Sequence, residues 1–476
     1  MSKWVHIIGV SGVATSGIAV MFKKLGWQVT GSDKGFFPPV STYLYKQGIK
    51  ILPGFAASRL TSKQGKNPDL VIYRGTISTK NSELLEAEKL NLPLKTYPEI
   101  LQKFVVKKDN SIVVTGTYGK TTITGLIVKI LQTAKIPVSF MIGGISLDSQ
   151  LNIREADVKT RWSVIEGDEF LNSYKNKQAK FFYYEPSHLV INSIKWEHPD
   201  LYPTEAAYLE NFLKLVRKIP KQGLIVANAT DKNVVEVCKQ VKCTVSYYAV
   251  DKNESLVKPD WYLLKDTQPL PCFIRESNGK PLEIIPFKTT ILGAYNLENL
   301  LAGAALSYEI GVAKERIQQA IKDFHGIKRR LEIRYQKKGK IVIDDFGSSP
   351  VKAQATLETL KQEFPEHFLA VVFEPNSGSR VARARSLYKG AFDRADLVIL
   401  PRFTSVGKLD HEKLMTGEDL AEILKDFTVN VAYFLNDNEL LQQLHSTVKT
   451  HQQIVMAFLG SHSFRGMIEK FVKELA

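Results

Sequence analysis

The run Ser111-Ile112-Val113-Val114-Thr115 is apolar enough for a buried strand, and Gly116-Thr117-Tyr118-Gly119-Lys120-Thr121-Thr122 follows it without a break. A helical pattern starts near Ile123. A strand, a glycine-rich loop and a helix in that order commit the chain to an open α/β sheet with ligand chemistry at its strand ends. Glycines let backbone N–H groups close around phosphate oxygens, and the helix N-terminus adds the positive end of a dipole. Lys120 can reach the β- and γ-phosphates, and the Thr121 hydroxyl can ligate Mg²⁺. The longer phosphate-loop pattern would want a glycine at Val114, so the match is to the shorter form G-T-x-G-K-T-T. ATP and Mg²⁺ are the expected cofactors, with Gly116, Thr117, Gly119, Lys120, Thr121 and Thr122 around the nucleotide. The alternative for this segment is an ordinary glycine turn.

The same α/β rhythm recurs on both sides. Val5-His6-Ile7-Ile8-Gly9 leads through a glycine-rich turn into Gly17-Ile18-Ala19-Val20-Met21-Phe22, and Trp27 to Asp33 and Asp69 to Tyr73 make further strands. Beyond the phosphate loop come Trp162 to Ile165, His188 to Ile191 and Gly223 to Ala227. A β-rich stretch from Lys258 to Thr290 carries Asn278-Gly279 as a turn, and a helix spans about Glu298 to Ile310. Ile341 to Asp345, Phe368 to Phe373, Leu397 to Leu400 and Ile454 to Phe458 then repeat the pattern. The expectation is three α/β domains, over residues 1–108, 109–326 and 327–476. The first and last are Rossmann-like, and the central one resembles a phosphate-loop ATPase with a parallel sheet.

Composition narrows the classes. No apolar run approaches the roughly 20 residues needed to span a bilayer, and the N-terminus lacks the pattern of a signal peptide. Three scattered cysteines form no metal or disulfide framework. These features point to a cytoplasmic protein with no membrane partner. The net charge of +15 invites a nucleic-acid reading, but the lysines are spread along the whole chain and no binding signature accompanies them.

Partners for the phosphate loop stand at other strand ends. Glu166-Gly167-Asp168-Glu169 follows one strand, and Asn192 to His198 follows the next. A carboxylate and an imidazole at neighbouring strand ends can hold a divalent cation near phosphates, which makes Thr121, Glu166 and His198 the candidate metal ligands. Alone, His198 reads as a surface or packing histidine; its place after the Glu166 segment reverses that weighting. Asn296 and Asn299 share one helix face, where their amides can read a purine edge or Asn296 can cap the helix. Arg329-Arg330 sits at the second boundary, as a γ-phosphate clamp or as an exposed basic linker.

These motifs, in this order, resemble those of the Mur ligase family of peptidoglycan synthesis nearly end to end. Gly116 to Thr122 resembles G-T-H-G-K-T-T, and Glu166 to Phe170 resembles E-A-D-E-[SY]. Asn192 to His198 resembles N-x-x-x-x-D-H, Tyr295 to Asn299 resembles H-N-x-x-N, and Arg329 to Glu332 resembles R-R-[LF]-[ED]. Gly9 to Ala19 resembles the family's UDP-binding turn. Gly31 to Thr42 is similar to G-S-D-x-x-x-Y-P-P-M-S-T of the murein peptide ligase branch, and Phe181 to Pro186, Asp344 to Phe346 and Phe373 to Pro375 point to the same branch. The departures are Tyr118 for a histidine, Ser348-Ser349 for two histidines and Asn376 for an arginine.

The resemblance implies an ATP-dependent ligase that joins UDP-N-acetylmuramate to recycled L-Ala-γ-D-Glu-meso-diaminopimelate through an acyl phosphate. L-alanine is the alternative acceptor, and a catalytically inactive nucleotide-binding homologue is the rival class. The implied catalytic residues are Lys120, Glu166, His198 and Arg330. Asn296, Asn299, Arg330 and Asp345 would join the loop at ATP, and Gly9, Gly12, Ser16, Gly17 and Asp33 would meet the UDP substrate. An oxidoreductase reading rests on the N-terminal glycine turn and Asp33, but the G-x-x-G-x-x-x-x-G spacing of the turn is not the dinucleotide fingerprint.

Overall fold

The computed structural model describes residues 2–36, 40–62, 65–149, 151–197, 201–265, 268–404, 414–427 and 430–476. The chain forms two compact units, one of residues 1–291 and 295–327, the other of residues 292–294 and 328–476. Among the described residues the first unit holds two sheets and the second holds one.

The first sheet has five parallel strands in the order Lys50–Pro53, Gln28–Asp33, Trp4–Ile8, Leu70–Tyr73, Leu94–Thr96. Trp4–Ile8 is buried along its whole length, as a strand covered on both faces must be. The chain moves outward from this strand in both directions, and such a switch point opens a crevice at the carboxyl ends. The glycine-rich turn and helix Val13–Lys24 follow it directly.

A buried polar cluster ties this sheet to helix Ser82–Lys89. His6 Nδ1 meets Thr30 Oγ1 at 2.8 Å and its Nε2 meets Glu83 Oε2 at 3.3 Å. Ser32 Oγ and the Ala56 N–H donate to the same carboxylate. Burial pushes the Glu83 carboxyl up, but hydrogen bonds from His6, Ser32 and Ala56 outweigh it and hold it below its ordinary value of 4.5. A carboxyl whose pKa is lower when folded adds stability above its unfolded value and loses it as pH falls through the folded one. Glu83→Gln therefore lowers the melting temperature at pH 7 and flattens its decline below pH 4.5. Parallel melting-temperature profiles for the two proteins would contradict this.

The second sheet of the first unit runs in the order Lys280–Pro286, Cys272–Ser277, Trp261–Leu264, Thr244–Ala249, Leu224–Asn228, His188–Ile191, Ser111–Thr115, Trp162–Glu166, Val138–Met141, Ile153–Arg154. Strands from Trp261–Leu264 to Val138–Met141 are parallel, and the ends are antiparallel additions. The β-rich stretch expected after Lys258 is the hairpin Cys272–Ser277/Lys280–Pro286. Asn278 and Gly279 turn it with φ of 51° and 78°, the positive pair that suits the strand twist.

The second unit carries a six-stranded sheet in the order Glu332–Lys337, Lys340–Asp345, Ile454–Gly460, Phe368–Glu374, Leu397–Pro401, Val431–Phe434. Only the first of these pairs antiparallel. Its central strand Ile454–Gly460 is wholly buried, as its run of apolar residues requires. No helix among the described residues is long and apolar enough to cross a membrane.

Candidate active site

Strand Ser111–Thr115 lies between His188–Ile191 and Trp162–Glu166, so three parallel strands end side by side. The loop after Thr115 is held from the neighbouring strand end. The Thr117 N–H donates to Ser193 O at 2.8 Å, the Thr117 hydroxyl donates to Lys195 O at 2.9 Å, and the Tyr118 N–H donates to Ser193 Oγ at 3.2 Å. Gly116 has φ 125°, and a Cβ there would stand 2.7 Å from Ser193 O. Gly119, at φ 75°, caps helix Lys120–Thr133, and its missing side chain makes room for Asn299 Oδ1 and Asn192 Nδ2. Both glycines are sterically required.

Lys120 folds back over this loop. Its Nζ donates to Gly116 O at 2.6 Å and to Glu169 Oε2 at 3.0 Å. Burial alone would push the ammonium down, but Glu169, Asp168, Glu197 and Glu166 hold it above the usual lysine value. Thr121 and Thr122 are buried in the first helical turn. Gly143 and Gly144 lie between Thr121 and Glu166. A Cβ on Gly143 would collide with the Glu166 carboxylate, and one on Gly144 would meet Thr121 Cγ2 at 3.1 Å. The Gly143 N–H donates to Glu166 Oε2 at 2.9 Å. The Thr121 and Glu166 side chains thus lie against one backbone segment, and a hydroxyl and a carboxylate are the donor types that suit a hard cation sharing phosphate ligands. His198 lies outside the described residues, as do Phe37, Pro38 and Pro39 of the branch-like segment. No cluster of three or more His, Cys, Asp or Glu side chains able to hold a metal occurs among the described residues.

The acidic segment has a second cation that its sequence does not announce. Lys180 Nζ stands 2.5 Å from Asp168 Oδ2, over the rings of Tyr97 and Phe170 at 5.3 and 5.0 Å. Burial pushes the Asp168 carboxyl up, but Lys180 and Lys120 hold it well below the usual carboxylate range. Lys180 stands just before the aromatic run Phe181 to Tyr184, and its contact with Asp168 is what only the fold reveals.

Asn296 and Asn299 are both buried on helix Ala294–Glu309, with Asn299 Nδ2 donating to Asn296 Oδ1 at 3.1 Å. Asn299 Oδ1 is buried beside Gly119 without a hydrogen-bond donor. Glu298, between them, accepts from Asn228 Nδ2. Burial and the nearby Asp231 push its carboxyl up to about 7. Helix Ala294–Glu309 therefore presents a buried asparagine carbonyl next to the bend at Gly119.

At the switch point of the first sheet, Gly9 turns with φ 84° and Gly12 precedes helix Val13–Lys24. Asp33 holds this turn by accepting from the Ser11 N–H at 3.0 Å. Ser16 donates to Val13 O at 2.8 Å, and Asn152 occupies the space beside Gly17, where a Cβ would come within 2.5 Å of its Oδ1. The helix start opens into a cavity lined by Gly12, Thr15, Arg74, Thr76, Tyr97 and Lys180 among others. Gly12 borders this cavity; Ser16 and Gly17 face helix packing. Arg74 and Lys180 were not expected from the sequence.

In the second unit, Arg329 rather than Arg330 makes the dense contacts. Arg329 binds Asp344 at 3.1 Å and donates to Gly460 O at 2.6 Å and His462 O at 2.7 Å. The Arg330 guanidinium lies over the Phe346 ring at 5.2 Å. Asp345 accepts from the Leu331 N–H at 2.9 Å and from Thr356 Oγ1 at 3.2 Å. Ser349 caps helix Pro350–Glu363, while Ser348 and Asn376 bond each other. The serines that stand for two histidines thus have local structural partners.

Three family models cover most of the chain: the Mur ligase middle domain over residues 114–307, the Mur ligase family catalytic domain over 4–108, and the Mur ligase glutamate ligase domain over 329–461. UDP-N-acetylmuramate–L-alanyl-γ-D-glutamyl-meso-2,6-diaminoheptandioate ligase of Escherichia coli (strain K12) is 31% identical over 83% of this chain and 84% of its own. The chain belongs to the Mur ligase family. It is accordingly an ATP-dependent ligase that forms amide bonds. UDP-N-acetylmuramate–L-alanine ligase of Clostridium tetani is 30% identical over 84% of this chain and 83% of its own. The crystal structure of a murein peptide ligase from Psychrobacter arcticus superposes with a TM-score of 0.75 at 25% identity, covering 100% of this chain and 99% of that one. The Escherichia coli and Clostridium tetani relatives differ in the acceptor they are named for.

Proposed function

We propose that this Mur ligase joins UDP-N-acetylmuramate to the tripeptide L-Ala-γ-D-Glu-meso-diaminopimelate in the cytoplasm, as a step in reusing cell-wall peptides. The observation that carries the reading is the placement of Lys120. It is fixed at the shared ends of three parallel strands beside Glu166–Glu169, and the same acidic segment reaches through Asp168 and Lys180 to the cavity at the glycine turn. A triphosphate and a sugar nucleotide bound at those two places meet across one short stretch of chain.

In this scheme the muramyl carboxylate attacks the γ-phosphorus of ATP, ADP leaves, and the acceptor amine then displaces phosphate from the acyl phosphate. Phosphoryl transfer of this kind is mainly positioning and charge neutralisation. Lys120 and the N–H groups of residues 116–122 hold the β- and γ-phosphates, and the amides of Asn296 and Asn299 meet the base. Gly9 and Gly12 let a diphosphate approach the backbone, on a turn braced by Asp33. A magnesium ion held by Thr121 and Glu166, with a second cation held with the help of His198, would neutralise phosphate charge.

L-alanine as acceptor is the second reading, supported by the relatives named for that reaction at near-equal identity. The deciding experiment offers ATP, Mg²⁺ and UDP-N-acetylmuramate with each acceptor separately and identifies products by mass. The tripeptide product is expected. Product with L-alanine alone would move the chain to the second reading, and none with either acceptor would support an inactive homologue.

A further inference from the structure

The cavity beside helix Val13–Lys24 is unusually cationic for its size. The helix N-terminus has no side-chain cap and no acidic residue in its first turn, so its N–H groups face the cavity unopposed. Arg74 lies against it: a Cβ on Gly12 would meet Arg74 Cδ at 3.2 Å, and Arg74 Nε is buried without a hydrogen-bond acceptor. On the far side stands Lys180, buried and clamped between two aromatic rings. Its ammonium has three donors, of which Asp168 takes one. The flanking rings orient the group through their faces without accepting its remaining N–H bonds in the plane. Two fixed cations and a helix terminus with unused donors form a receiver for an extended polyanion.

The two cations differ in their surroundings. Arg74 follows strand Leu70–Tyr73 and sits at the helix N-terminus, where a diphosphate fits. Lys180 sits on the Asp168 side, within the charge field of Lys120. We propose that Arg74 grips the diphosphate of the sugar nucleotide while Lys180 receives its lactyl carboxylate and aims that acid toward ATP, making Lys180 the residue that distinguishes a muramic from a carboxylate-free sugar. This assignment rests on the sugar-nucleotide reading above and adds the residues that enforce it. Asp168 is the brace: an ammonium held by a fixed carboxylate presents its free donors in one direction.

Calorimetric titration of the full chain with UDP, UDP-N-acetylglucosamine and UDP-N-acetylmuramate separates the two roles without any turnover. In the native protein the muramic ligand binds more tightly than the other two. Arg74→Gln weakens all three ligands, each by about tenfold, the scale of one charge-assisted hydrogen bond. Lys180→Gln weakens only UDP-N-acetylmuramate, by about tenfold, bringing it level with the other two. Lys180→Arg, which keeps the charge, restores part of the preference. Equal weakening of all three ligands by Lys180→Gln, or none, overturns the proposal. If Lys180→Gln fails to fold, the preference of the native protein for the muramic ligand and the Lys180→Arg titration decide instead. Should native protein bind none of the three, the sugar-nucleotide reading itself falls, which is a different result from binding all three alike.

Discussion

Lys120→Met loses ligase turnover by about three orders of magnitude, the scale of removing a preorganised charge from a phosphoryl-transfer site. It also loses stability, for a separate reason. Glu169 is 1% exposed and pairs with Lys120 at 3.0 Å, with Asp168 next to it in sequence. Removing one partner of a buried pair leaves an uncompensated charge and costs roughly 3 kcal/mol, here at the low end because Lys120 is itself partly exposed. Adding Glu169→Gln removes that charge. The double variant is therefore expected to recover most of the melting temperature and none of the activity. Measuring ADP release together with thermal unfolding separates the two losses. A double variant with near-native turnover would show that Lys120 only braces the fold.

Gly119→Ala is the second large effect, and it acts through shape. The residue holds φ 75°, which costs alanine about 1–2 kcal/mol. Its Cβ would also drive into Asn299 Oδ1 and stand 2.8 Å from Asn192 Nδ2. Asn299 must then swing away and give up its bond to Asn296. ATP affinity is expected to fall by about a hundredfold, as small displacements in a positioning site do. Binding of UDP-N-acetylmuramate should be unchanged. ATP titration of the variant checks this, and native affinity would remove the contact between Gly119 and Asn299 from the nucleotide site.

Much of this architecture was legible in the residues because parallel strands buried on both faces read as apolar runs. Trp4–Ile8, Ser111–Thr115 and Ile454–Gly460 are of this kind, and the first two are each followed by a glycine turn that the residues announce. Gly116 and Gly119 were legible in the same way, since they answer steric demands that no other residue meets. Glu166 is legible as a candidate metal ligand, but that the carboxylate Lys120 contacts is Glu169, three residues on, is not. Irregular backbone after a strand has no fixed period, so spacing cannot say which acid turns inward. The contacts of Lys180 and Arg74 were hidden because each reaches its place through the packing of the first sheet against the segment after Glu166. The clustering of Arg329 with Asp344 and three carbonyls was equally hidden, since adjacent arginines in a boundary motif look alike until the backbone bends at φ 60°.

The phosphate loop looks local in sequence, but its supports are not. Its backbone is held by Ser193 and Lys195, and the groove beside Gly119 is filled from Asn299. A nascent chain emerging at about 5–20 residues per second thus carries the loop for several seconds before its props exist. Until helix Ala294–Glu309 has left the ribosome, that segment lacks the Asn299 side chain that fills the groove beside Gly119. Nucleotide capture by a stalled translation product would accordingly report that synthesis has passed this helix.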